Sequence, residues 1–409
     1  MIIRSLPPKS KLKSKRKHLS KLLSLRQAKE DLQTVMFSDD IHQTIVMCPL
    51  DYHIDSLIKR VEFVLEVVKC NEDLIQVTIQ QVPLRKCHYY LNCAPEIFIM
   101  LKALSMIINY TSPPDIIEGI ECQAFRQALQ QLKAEELEIL LLGIPSLLPD
   151  HPDTVYRYVL AVNRFIFLIR SFMNKPEIKR KLYDRSASCN RMKNQCIGLV
   201  TSLIKCHSKI LVIRLDFYLT HEKNTLFKKL PILQEFHSKH DLQYLKDGIK
   251  RLLRMKRNHP LMKDIIGHIL RYEYTPQRGF HIHSFFFLDA NKHREDITIG
   301  QSIAEIWNVK ITNGQGSTNI CNMNKASYRY CGIGMIHHSD VTKLKYLFKI
   351  FEYICKADQF FVFSNMRGPR RFQLSAAPKN KSNAGRPRKV DKQSLNGTSE
   401  NDNNMEHSS

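Results

Sequence analysis

Nowhere does this 409-residue chain contain about 18 consecutive uncharged apolar residues, the length that a membrane-spanning helix requires. The longest apolar stretches are interrupted by Lys102, or by Arg164 and Arg170, so no membrane span is expected. The N-terminus passes from a short apolar triplet straight into Lys- and Arg-rich sequence, without the apolar segment of an export signal, and a cytoplasmic location is expected. The 11 cysteines, Cys48, Cys70, Cys87, Cys189 and Cys355 among them, include no CxxC pair and no regular spacing. That pattern argues against a disulfide framework and against a zinc ribbon, and it leaves reduced, mostly buried thiols. A GxxxxGK[ST] phosphate loop is also missing, which gives no sign of a P-loop nucleotide site.

Positive charge is abundant and unevenly placed. The chain carries 62 Lys and Arg against 39 Asp and Glu, a formal net charge of +23. Residues 1–30 hold 10 basic side chains and 1 acidic one, whereas residues 31–160 hold 9 basic and 18 acidic. The remaining 43 basic residues, set against 20 acidic, lie beyond residue 160. Clustered cations release the counterions condensed on a polyanion, so the basic regions predict a nucleic-acid partner. A hydrophobic content of 43% is enough to build real cores, and the length suits two or three domains.

The sequence divides into four parts. Residues 1–30 form a basic, Lys- and Ser-rich arm, and residues 31–185 an acidic, mostly helical domain. Within the latter, Ile54, Leu57, Ile58, Val61, Val64 and Leu65 recur at helical spacing. Residues 186–375 alternate helices with β-branched and aromatic runs, and residues 376–409 form a polar, basic tail of disordered composition. In the third part the sequence predicts a helix at 190–205, a strand from Ile210 to Leu219, and a helix at 241–258. A hairpin follows, made of HILRYEY and FHIHSFFFL, then strands near YRYCGIGMI and QFFVFS on either side of a helix at 341–356. Five strands interleaved with helices predict an α+β fold with a mainly antiparallel sheet. The 241–258 helix turns Lys246, Lys250, Arg254 and Arg257 outward as a candidate DNA-binding face.

The residues able to do chemistry are fewer. His281 and His283 are two apart in a strand, so both imidazoles face the same way, suited to sharing one metal ion. If the hairpin turn centres on Gln277, Glu273 lies directly opposite His281 and adds a carboxylate oxygen. A hard cation, Mg²⁺ or Mn²⁺, fits that donor set when the ligand is phosphate. Asp216 and Asp289 are second-choice ligands. On the 341–356 helix the apolar stripe is Leu344, Leu347, Phe348, Phe351 and Ile354, and Tyr346 and Tyr353 fall away from it, each followed three residues later by a lysine, Lys349 and Lys356. An ammonium near a phenol favours its phenolate form, which is the useful form for attack on phosphorus.

Glu273, the HxH strand, GIGMI, YICKADQFF and the basic GPRRF segment resemble the inovirus (filamentous phage) gene-two type replication initiator family, within the HUH endonuclease superfamily. The resemblance covers residues 186–375. It implies a five-stranded antiparallel HUH-type sheet flanked by helices. It further implies a rolling-circle replication initiator, a metal-dependent, site-specific single-strand DNA endonuclease and strand transferase. By that resemblance His281 and His283 hold the metal with Glu273, Tyr353 is the nucleophile with Lys356 as its companion, and a 5′-phosphotyrosyl link with a free 3′-OH results. Tyr346 and Lys349 would be a second candidate pair. Arg370 and Arg371 in the GPRRF segment, and Arg386 and Arg388 in a tail segment that resembles an AT-hook, are further candidate DNA contacts. Expected partners are single-stranded origin DNA, duplex DNA, and a host helicase and replication proteins, since the chain has no P-loop of its own. The alternatives are an HUH relaxase or transposase of a mobile element, and a non-catalytic DNA-binding regulator on the same fold.

Overall fold

The computed structural model describes residues 37–39, 42–44, 49–69, 75–82, 86–93, 95–112, 116–145, 152–219, 239–275, 279–328, 330–355, 361–363, 366 and 370–378. The basic arm, most of the tail, Gln277, Lys356, Arg386 and Arg388 lie outside the described residues.

In chain order, strands β1 (Phe37–Asp39) and β2 (His42–Thr44) form a short hairpin and are followed by helix α1 (Pro49–Lys69). A second hairpin pairs β3 (Gln76–Val82) with β4 (Lys86–Asn92). After it come α2 (Pro95–Lys102), α3 (Leu104–Ile108), β5 (Ile116–Glu118), α4 (Ile120–Gln130), α5 (Ala134–Leu142) and α6 (Pro152–Asn174). This part is therefore helical with two added hairpins. Its core is built on Phe63, Phe125 and Phe165, whose rings contact one another at centroid distances of 5.0 to 5.9 Å.

Helix α7 spans Pro176–Cys206, so the expected junction at 185/186 falls inside one continuous helix. Pro176 opens it at a position where a missing N–H costs nothing. Then follow β6 (Lys209–Leu219), α8 (Lys239–Arg254), the short α9 (Pro260–Lys263), β7 (Ile265–Thr275) and β8 (Gly279–Asp289). Helix α10 (Asp296–Glu305) continues as a π-helical turn, Ile306–Ile311. The remainder is β9 (Gly316–Ile320), a 3₁₀ segment (Cys321–Ser327), β10 (Gly334–His337), α11 (Val341–Ile354), β11 (Phe361–Phe363) and β12 (Phe372–Leu374).

The fold is α+β, with a six-stranded sheet whose described pairings are all antiparallel, in the order β10-β6-β8-β7-β12, β9 pairing with the other half of β6. Five strands were expected, and two details differ. Within QFFVFS the described residues Phe361–Phe363 form a strand, β11, but it pairs with β5 of the N-terminal part rather than joining the main sheet. In its place the sheet gains β9, and β12, which begins at the last residue of GPRRF. Both are too short to show alternation in the sequence.

Side-chain alternation sorts the sheet into two faces. Leu211, Ile213, Leu215, Phe217, Phe286 and Leu288 pack against α8, Trp307 and residues of α1. Ile210, Val212, Ile269, Phe285 and Phe287 pack against α7 and α11. Both faces of the central strands are covered, so FHIHSFFFL is buried along almost its whole length.

Asp340 caps α11 by accepting the Lys343 N–H at 2.9 Å. The GIGMI segment then explains how closely that helix can lie. A Cβ on Gly332 would overlap the α11 backbone at Leu347, and Gly334 has φ +80, in the left-handed region. Replacing Gly332 with Ala must push α11 off the sheet. The expected cost is at least about 1–3 kcal/mol, as for overpacked cores, read as a lower Tm in thermal denaturation. An unchanged Tm would mean that α11 does not approach the strand so closely.

Candidate metal centre

The β7–β8 register sets Glu273 opposite His281 and Arg271 opposite His283. On the other side of β8, the β6 register sets Asp216 opposite His283 and Tyr218 opposite His281. Alternation carries all of these residues on the face covered by α7 and α11. The ligand atoms of Glu273, His281 and His283 lie within 4.8 Å of one another. His283 Nε2 is 3.1 Å from Glu273 Oε2, and His281 Nε2 is 3.9 Å from the same oxygen. The two imidazole rings stand nearly perpendicular, at 87°.

The hydrogen bonds decide which nitrogens are left for a ligand. His281 Nδ1 lies 3.0 Å from the Gly279 carbonyl, an acceptor only, so Nδ1 carries the proton and Nε2 is bare. His283 Nδ1 lies 2.7 Å from Asp216 Oδ1 and donates to it, which turns Nε2 toward Glu273. Two imidazole nitrogens and one carboxylate oxygen converge, and one imidazole is oriented by a carboxylate behind it. This donor set fits a divalent cation. Asp216 is thus an orienting residue rather than a ligand. Asp289, six residues beyond His283, pairs with His207 and takes no part.

Charge follows from the same contacts. Burial, with the charge of His283 beside it, lowers His281 to about 4, so it is neutral at pH 7. Burial would lower His283 as well, but Asp216 and Glu273 outweigh it and raise that imidazole to about 10. Burial opposes ionisation of Glu273, yet the His283 cation, its hydrogen bond and Arg271 hold the carboxyl at about 2. Asp216 is held well below the carboxylate range because His283 and Arg214 outweigh its burial. Without metal, a charged His283 bridges two carboxylates, and a cation would take the place of its Nε2 proton.

A pH dependence follows. Both histidines titrate near 6.5 when unfolded. Between 6.5 and 4 the unfolded chain binds a proton at His281 that the folded state refuses, so stability falls as pH falls. Buried His268, lowered to about 4, adds to this acid limb. The contribution of His283 is complete below 6.5 and is lost as pH rises toward 10. The Tm of the metal-free protein is therefore expected to peak near pH 6.5 and decline on both sides. A Tm that keeps rising from pH 7 to 9 would show that His283 is not held as a cation.

Of the other expected residues, Tyr353 sits in the last turn of α11, half-buried against the apolar cluster beneath the helix rather than on its outer side. Ile354 and Cys355 beside it pack in the same cluster as Ile269 of β7, four residues before Glu273, so this end of α11 lies near the centre's edge. Tyr346 is two turns back, with its ring 5.2 Å from that of Tyr330, and Lys349 Nζ lies over both rings. Lys246, Lys250, Arg254 and Arg257 are on or just after α8, which covers the opposite face of the sheet, and so they are not brought to the triad. Arg370 is exposed and Arg371 half-buried. They lead into β12, which pairs with the strand that carries Glu273.

Residues 172–370 match a family model described as YagK/YfjJ C-terminal domain. The similarity to the YagK/YfjJ C-terminal domain runs from the end of α6 to just before β12 and takes in the triad and α11. No curated protein matches the chain. No solved structure matches it either. Among the described residues, no helix is long and apolar enough to cross a membrane.

Several neighbours of the triad were not foreseen from the sequence. β9 and β10 share one edge of β6 and leave Arg214 in the gap between them. The Asn322 side chain fills that gap, accepting from Arg214 N at 2.8 Å and donating to the Val212 carbonyl at 3.0 Å. This anchors the 3₁₀ segment and brings Cys321 Sγ to 3.6 Å from Asp216 Oδ2, with half-exposed Tyr328 beyond it. The signal for Arg271 and Arg214 was present: each is two residues before an acidic residue on a strand, and therefore on the same face.

Proposed function

We propose that the protein is a metal-dependent single-strand DNA endonuclease and strand transferase that initiates rolling-circle replication through Tyr353. The observation that carries this reading is the convergence of Glu273, His281 and His283 on the sheet face that α11 covers. A Mg²⁺ or Mn²⁺ ion held by these three residues would supply Lewis acidity to a non-bridging phosphate oxygen. The protein's own groups do the rest. Asp216 fixes the tautomer and direction of His283, and the Gly279 carbonyl does the same for His281. His281 and His283 are themselves buried, which limits the water around their rings.

In this reading the Tyr353 oxygen forms a bond to phosphorus in line with the bond to the 3′ oxygen, which breaks. The phenol proton passes to solvent, the departing 3′ oxygen takes up a proton, and the 5′-linked phosphate stays on the tyrosine. Lys356, three residues on, would favour the phenolate. Since the ester is conserved, the free 3′-OH can reverse the step without ATP. The experiment is incubation of the full chain with Mn²⁺ and a pool of single-stranded oligonucleotides, followed by mass spectrometry of adducts stable to SDS. The expected product is a nucleotide-modified peptide containing Tyr353. DNA binding with no adduct from any pool would make the protein a DNA-binding regulator instead.

A further inference from the structure

Two arginines on the triad's face have no part in the steps above. Arg271 is opposite His283, with Nε 3.6 Å from Glu273 Oε1. Arg214, opposite Phe285 on the other neighbouring strand, has Nε 3.9 Å from Asp216 Oδ1 and no hydrogen-bond acceptor for that nitrogen among the described residues. Its guanidinium leans over β8, 5.7 Å from the Phe285 ring. The two backbones are two strand spacings apart and offset by two residues along the strands, roughly 12 Å, which long side chains inclined toward the middle strand can bridge.

The end of α11 packs over the same strands: Phe351 meets the Phe285 ring that Arg214 leans on, and Ile354 and Cys355 share a cluster with Ile269, two residues before Arg271. The local charge is unbalanced. Two carboxylates, Asp216 and Glu273, face two guanidinium groups and His283, so the buried face is net positive before any metal binds, and more so when a divalent cation replaces one proton. Guanidinium nitrogens in a desolvated site match the non-bridging oxygens of a phosphate ester in both charge and planar geometry.

We infer that Arg214 and Arg271 form the anion-binding site of this centre and hold a phosphodiester between the triad and the end of α11. The inference rests on the reading of the centre as a phosphodiester site and adds to it which residues bind the phosphate. Neutralising the carboxylates, the ordinary role of such arginines, would leave the site blind to anions.

The test uses the full chain, Mn²⁺ and dimethyl phosphate. Bound Mn²⁺ accelerates ³¹P relaxation of a phosphodiester held beside it, and the wild-type effect is expected to saturate with ligand concentration. Arg214→Gln and Arg271→Gln should each lower dimethyl phosphate affinity about 10- to 100-fold, the range for a charge-assisted hydrogen bond. Arg214→Lys and Arg271→Lys, which keep the charge and the fold, should lose less. Free Mn²⁺, followed by its electron paramagnetic resonance, should show metal affinity unchanged or tighter in the Gln variants, because each removes a cation near the ligands.

A wild-type protein that does not relax dimethyl phosphate overturns the proposal, and so do Gln variants that relax it as the wild type does. If phosphate binding depends on the arginines but no DNA is nicked, the nickase reading fails and the anion site stands. If both Gln variants nick DNA at the wild-type rate, the nickase reading stands and this inference fails.

Discussion

Tyr353→Phe is expected to lower covalent adduct formation by at least about a thousandfold, the scale lost when a nucleophile is removed from a centre whose other parts remain. DNA affinity should stay within about twofold. Tyr346→Phe should be mild, because Tyr346 is seven residues earlier on the helix, about 10 Å back along the axis, and engaged with Tyr330 and Lys349. The control is Tyr328→Phe. Tyr328 approaches the centre through Cys321 and Asp216, but burial and the neighbouring Cys321 raise its phenol, which disfavours the attacking phenolate. Quantifying adduct on a denaturing gel for all three variants checks the assignment. Adduct surviving in Tyr353→Phe and lost in Tyr328→Phe would move the nucleophile to the 3₁₀ side of the centre.

The second large effect separates the two histidines. Both His281→Ala and His283→Ala should abolish Mn²⁺-dependent cleavage and weaken Mn²⁺ binding by well over tenfold, while Asp216→Asn should cost about 10- to 100-fold in metal affinity. Their effects on the fold should differ. His281 is neutral at pH 7, so its loss removes a ring and no charge. His283 is the cation between Asp216 and Glu273, and removing it leaves two buried carboxylates facing each other. Breaking a buried ion pair from one side costs about 3–5 kcal/mol. His283→Ala should therefore melt well below His281→Ala without metal, and the gap should narrow toward pH 4, where the carboxylates can protonate. Equal melting temperatures at pH 7 would mean that His283 is not the bridging cation.

Much of the centre was legible in the sequence because it depends on short-range rules. Alternation alone puts His281 and His283 on one face, and pairing of the two neighbouring strands brings Glu273 opposite His281. The hydrophobic period of residues 341–354 likewise shows a helix with an apolar stripe. Those features need only local geometry, which residue order determines directly.

What lay beyond the sequence involved pairing between distant segments. The role of Asp216 depended on the β6–β8 register, 67 residues apart, which converts a second-choice ligand into the group that orients and charges His283. Pairing of β11 with β5 joins segments more than 240 residues apart, and three-residue strands carry no alternation by which to assign a partner. The helix at 239–254 reads in sequence as a basic DNA-binding face, but only the sheet's two sides decide that it lies opposite the triad. Residue order thus determined the candidate ligand types, their spacing and the helix that carries the tyrosines. The tertiary structure decided which charges meet, because only burial lets such a meeting move a side chain's proton affinity well away from its value in water.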